Sequence, residues 1–177
     1  MAEFVRPFTL ADLRRRPMAL TITADDAECA AVAQRFSLVA LNRLVADVSL
    51  VFDGDSLSVT GALAADVVQQ CVATGEPLPA AITADIAVRY VPMDKLEAAE
   101  AEAEVELDGA DLDVIGYASG RVDLADMVAD TLYLALDPFP RSANADEWLA
   151  ANGVKTEGEA GAFGALAALR DRMAGGA

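Results

Sequence analysis

Three consecutive segments between residues 43 and 91 alternate apolar and polar side chains almost without a break, and this pattern limits the chain more than any other feature. In "RLVADVSLVF", Leu44, Ala46, Val48, Leu50 and Phe52 alternate with Val45, Asp47, Ser49 and Val51, and "DGD" (53–55) supplies a turn. In "SLSVTGALAADVVQQC" the series Leu57, Val59, Gly61, Leu63, Ala65 and Val67 points one way. "TGEPLP" then breaks the strand, and "AITADIAVRYV" resumes with Ile82, Ala84, Ile86, Val88 and Tyr90 inward. A period of two is the signature of strands with one buried face. Short connections between such strands favour an antiparallel meander.

A sheet with one apolar face needs a cover, and the flanking sequence supplies helices. Before the meander, "MALTITA" (18–24) reads as a short strand, followed by a helix on which Cys29, Val32, Ala33 and Phe36 share a face. Thr23 with Asp26 gives a capping-box pattern, while Asp25, Asp26 and Glu28 suit the positive N-terminal end of the helix. "VDLADMVADTLYLALDPFP" is the strongest helical segment. Asp123 can cap it, Leu124, Met127, Val128 and Leu132 line a face, and Asp137-Pro138 stops it. Its "LYLAL" half is apolar nearly all round, which predicts burial against the sheet. "ADEWLAANG" and "FGALAALRDRM" predict two further short helices. The expectation is an α+β fold, an antiparallel sheet, open or barrel-like, flanked by three to five helices. One domain over 1–177 is expected, with a partly mobile tail from about 152.

Charge narrows the range of partners. With 29 acids against 13 bases the formal charge is −16, a field that repels phosphate and makes free nucleic acid or an anionic membrane a poor partner. Residues 94–113 hold nine acids against one lysine, Lys95; the first half has helix-forming composition, but its like charges would repel along a helix, and the stretch reads as a solvated acidic excursion or mobile hairpin, or as a lure for a basic partner. "RRRP" (14–17) is the sole basic cluster and reads as solvated. No apolar run approaches the ~18–20 residues that span a bilayer, and the N-terminus lacks the arrangement of a signal peptide. Together these features predict a cytoplasmic location.

The sequence holds little reactive chemistry. Histidine is absent, which removes His-based triads and most zinc or iron sites, and the only cysteines are Cys29 and Cys71. "GEAGAFGALAALR" has glycines but no phosphate-binding lysine. No pair of carboxylates stands out as catalytic, so no catalytic residue, cofactor or metal is expected. Arg89-Tyr90 reads as a strand pair with a core tyrosine, since one aromatic is no stacking platform. Cys29 reads as a small core residue. Cys71 closes a strand before a turn and could be half of a metal or redox pair, the remnant of one, or a small apolar residue. For a contact surface, Asp137, Pro138, Phe139 and Arg141 combine a rigid turn with an aromatic and an arginine. The alternative reading is a helix stop packed on the core.

Several segments in order resemble the YceD family, the large ribosomal RNA subunit accumulation proteins, in their alphaproteobacterial form. They are "EFVRPFTL", "RFSLVALNRLVADVSL", "VTGALAADVVQQCVATGEPLP", "GRVDLADMVADTLYLALDPFPR" and "FGALAALR". Many members carry Cys-x-x-Cys at the Cys71 turn and a second cysteine pair after the Asp-Leu helix, an arrangement that resembles a four-thiolate zinc site. Here Thr74 stands at the second position and "DPFPRSANADEW" holds no cysteine, so the resemblance implies that Cys71 and Thr74 are the remnant of that motif. It further implies a non-enzymatic part in synthesis, processing or stability of large-subunit ribosomal RNA. Combined with the charge, the expected direct partner is a basic ribosomal protein or a ribosome-assembly factor, with the precursor RNA met indirectly. Two rivals stand beside this: a metal-dependent nuclease built on acidic clusters, and a structural interaction module indifferent to charge.

Overall fold

A computed structural model describes residues 3–10, 17–102, 113–118 and 120–155. The chain divides into two compact units, Met1–Gln69 with Pro79–Pro138 and Gln70–Leu78 with Phe139–Ala177.

In chain order the elements are β1 (Pro7–Thr9), β2 (Met18–Thr23), α1 (Asp26–Arg35), β3 (Ala40–Asp53), β4 (Ser56–Gln70), β5 (Pro77–Pro92), α2 (Met93–Glu102), β6 (Asp113–Tyr117), β7 (Arg121–Asp123), α3 (Leu124–Ala135) and α4 (Ala145–Ala151). A five-stranded sheet runs in the order β2-β3-β4-β5-β6, and β1 pairs with β7 in a separate two-stranded ribbon. β2 and β3 are antiparallel, as are β3 and β4, with Leu44 opposite Ala65 and Val48 opposite Gly61. The sheet is mixed, because β6 pairs with β5 in parallel, Tyr90 facing Ile115. The order is open, and no strand pairing among the described residues closes it into a barrel.

The predicted inward series form the core of the first unit. Leu44, Ala46, Val48, Leu50, Leu57, Val59, Leu63, Ala65, Val67, Ile86, Val88 and Tyr90 are buried together with Leu124, Val128 and Leu132 of α3 and Cys29 and Val32 of α1. Desolvation raises the Cys29 thiol pKa, as expected of a core cysteine. Gly61 departs from its series and is exposed, and its lack of a side chain has a steric reason. A Cβ there would run into the Asp47 carbonyl oxygen and come within 2.9 Å of Val48 Cα on the neighbouring strand. The missing side chain lets β3 and β4 approach at that point.

Three expectations change. The capping box of α1 belongs to Asp25, not Thr23: the Asp25 side chain accepts from Glu28 N at 2.8 Å and Glu28 Oε2 accepts from Asp25 N at 2.9 Å. An Asp at N-cap with Glu three residues on completes both bonds, which the shorter Asp26 offered as partner for Thr23 does not. "LYLAL" is buried only in part, since one helix face meets the sheet and leaves Tyr133 and Leu134 exposed. Met93–Glu102, part of the acidic excursion, forms a helix joining two parallel strands, where its like charges argued against one. Such a connection between parallel neighbours needs a crossover, and a helix is the usual one. Residues 103–112 of that excursion, Arg14 to Arg16 and the predicted helix "FGALAALRDRM" lie outside the described residues.

Candidate functional site

Asp123 sits at the junction of β7 and α3 and organises the N-terminal segment. Its Oδ1 accepts from Ala125 N at 2.9 Å and Asp126 N at 3.3 Å, capping α3 as predicted, and from Arg6 N at 2.9 Å. Arg6 then grips the buried Glu28, donating Nη1 to Oε1 at 2.6 Å and Nη2 to Oε2 at 3.0 Å. This two-pronged hydrogen bond is the main reason the Glu28 carboxyl is held below its ordinary pKa against the opposing effect of burial.

Beside this clamp lies a groove of about 760 Å³, with Phe4, Val5, Ala27, Ala30 and Ala129 among its lining residues and Glu3 and Asp126 as its carboxylates. Arg35 also lines it and donates to both Asp126 (2.6 Å) and Asp130 (2.9 Å), so one cation faces two carboxylates. Burial, and then the Asp126 charge, push the Asp130 carboxyl above its ordinary pKa. The same pairing recurs over the surface: Arg43 is held by Asp66, Lys95 by Asp55 and Arg141 by Asp146. Cations tied to carboxylates in this way offer little to a phosphate.

The four residues predicted as one contact surface fall in different units. Asp137 and Pro138 end the first, where Gln69 Nε2 donates to the Asp137 carbonyl at 2.8 Å. Phe139 and Arg141 begin the second, where Phe139 is 73% exposed and Arg141 donates to Asp146 at 2.6 Å. Tyr90 is a core tyrosine, donating its hydroxyl to the Asp123 carbonyl at 3.4 Å.

Cys71 and Thr74 do come together, in the second unit, with a residue the sequence reading missed. Cys71 Sγ accepts from Thr74 N at 3.4 Å and Ser142 N at 3.3 Å, and lies 3.4 Å from Ser142 Oγ, which is itself 3.4 Å from Thr74 Oγ1. One backbone bond closes the first turn, Cys71 N donating to the Glu76 carbonyl at 2.8 Å, and one joins the two segments, Val72 N donating to the Pro140 carbonyl at 2.9 Å. Cys71 is only 2% exposed. Desolvation opposes its ionisation, but hydrogen bonds from the Ser142 and Thr74 side chains and amides together outweigh it and lower the thiol pKa from 9.0 to about 6. Ser142 could have been found in the sequence only by setting "SANA" beside "CVAT", which share the same spacing.

This donor set does not fit zinc. A structural zinc takes four thiolate or imidazole ligands; here there is one thiol and two hydroxyls, and no group of three His, Cys, Asp or Glu side chains among the described residues is placed to hold a metal. No helix among the described residues is long and apolar enough to cross a membrane.

The family model described as "Large ribosomal RNA subunit accumulation protein YceD" matches residues 59–169. That stretch runs from near the start of β4 past α4 and includes both the Cys71 cluster and the capped helix α3. Neither the curated proteins nor the solved structures yielded a match.

Proposed function

The chain belongs to the YceD family of large ribosomal RNA subunit accumulation proteins, and from that premise we propose that it acts as a non-enzymatic, acidic assembly factor that holds a basic protein. Involvement in large ribosomal RNA subunit accumulation follows from membership. The manner of acting is the proposal: a basic ribosomal protein or assembly factor binds directly, and precursor RNA is reached through it.

The observation that carries this reading is the fate of the cations. Arg6, Arg35, Arg43, Lys95 and Arg141 each face a carboxylate of the chain itself, in a protein of formal charge −16. A surface of that kind attracts lysine- and arginine-rich partners and repels bare phosphate. The groove beside α1 offers such a partner a seat, with an apolar lining for its aliphatic side chains and Glu3 for a cation.

Affinity purification of the tagged protein from its own cell extract, with and without ribonuclease, tests the reading. Basic ribosomal proteins are expected to remain bound after ribonuclease, and Ala30→Trp, which fills the groove, is expected to release them. Tight direct binding of purified protein to large-subunit RNA, weakening steeply with salt, would sink the proposal.

A further inference from the structure

Two segments of the second unit share a spacing, and each closes into a turn. Cys71 and Thr74 stand three apart, as do Ser142 and Ala145. Each pair is folded into a tight turn: Thr74 N reaches back to Cys71 Sγ at 3.4 Å, and Ala145 N to the Ser142 carbonyl at 3.1 Å. Cys71 Sγ, Thr74 Oγ1 and Ser142 Oγ form a chain of two 3.4 Å contacts across a sequence separation of 71 residues. A tetrahedron of sulfur atoms around zinc, with arms of about 2.3 Å, has edges of about 3.8 Å. Hydroxyl oxygens, being smaller than sulfur, span two such edges at slightly shorter distance. Ala145, 2% exposed, closes the second turn and holds the place in its segment that Thr74 holds in the first.

We infer that Cys71, Thr74, Ser142 and Ala145 occupy the four corners of a tetrahedral metal-type site that this chain closes with hydrogen bonds in place of an ion. A divalent ion needs several anionic donors to offset its charge and lost hydration, and this set supplies a single sulfur that can ionise, two neutral hydroxyls and a methyl. The backbone amides of Thr74 and Ser142 take over the closing role by converging on one sulfur. The second unit is therefore expected to be independent of zinc supply, unlike a domain whose folding energy comes from the metal.

The test begins with the unaltered protein, purified under reducing conditions: metal analysis should find no stoichiometric zinc, and a chelator should leave its melting temperature unchanged. The variant Thr74→Cys/Ser142→Cys/Ala145→Cys, refolded with cobalt(II), should bind one ion and show the intense thiolate-to-metal absorption of a four-sulfur tetrahedral site. Thr74→Cys/Ser142→Cys should bind more weakly, because its fourth corner is still a methyl. Zinc retained by the unaltered chain through chelation, or a melting temperature that falls with chelator, overturns the inference. Equal cobalt affinity of the double and triple variants overturns the assignment of Ala145, and absence of a tetrahedral spectrum in a folded triple variant overturns the site itself.

Discussion

The sheet core of the first unit and the Cys71 turn cluster of the second are held together by different means. The core spreads its stability over many apolar side chains from three central strands and two helices, each replaceable at a cost. The cluster concentrates it on one sulfur atom that collects three contacts at 3.3–3.4 Å. Distributed burial tolerates change in proportion to the volume altered, whereas a convergent polar cluster depends on the atom at its centre. The comparison also explains what sequence can reveal: the first kind of order is written as a period, the second as residues far apart.

Substitutions can break or sharpen this contrast. The largest effect is expected in the core: Leu124→Ala, at a fully buried position where α3 meets the sheet, should lower unfolding free energy by about 3 kcal/mol in a denaturant titration. Gly61→Ala should cost about 2 kcal/mol or more, since the new methyl meets the backbone of β3, and hydrogen exchange should localise the damage to the β3–β4 pairing around Val48. Asp123→Ala removes the cap of α3 and the anchor of Arg6 together and should cost about 1–2 kcal/mol, with faster exchange at Ala125 and Arg6 amides.

The cluster is expected to respond in a different variable, pH. Its thiol pKa is lowered from 9.0 to about 6 in the folded state, so its stabilisation is fully present above about 9 and is lost as pH falls through about 6. The melting temperature should carry a rising component across that window, which Cys71→Ser should remove. A profile unchanged by Cys71→Ser would show that the sulfur is not the centre of the second unit. The smallest effect belongs to Arg43→Ala, an exposed pair with Asp66, at no more than about 0.5 kcal/mol by the same titration.

The strands of the core were legible because alternation survives from Leu44 to Tyr90, and α3 because Asp123 precedes a regular apolar face. Errors arose where two local signals competed. Thr23 and Asp25 are both credible caps, and only the reciprocal bond with Glu28 selects Asp25. β6 is five residues long, follows an acidic stretch and gains its identity from the backbone of β5, so no pattern of its own marks it. Ser142 was invisible as a site residue because its significance lies in a partner 71 positions away. The thiol at Cys71, by contrast, stood out by its rarity alone.

The ribbon of β1 with β7 has a consequence for how the chain is made. Pro7 pairs with Asp123 and Thr9 with Arg121, so the first strand has no partner until more than a hundred further residues exist. At elongation speeds of roughly 5–20 residues per second, that wait is on the order of ten seconds. During it, β3, β4 and β5 can already pair with one another, leaving Phe4 and Leu10, buried in the finished core, to be covered last. The N-terminal arm is made long before β7 and is one of the last parts to dock. A nascent chain of this protein thus carries an uncovered apolar strip on the ribosome until β7 emerges to close it.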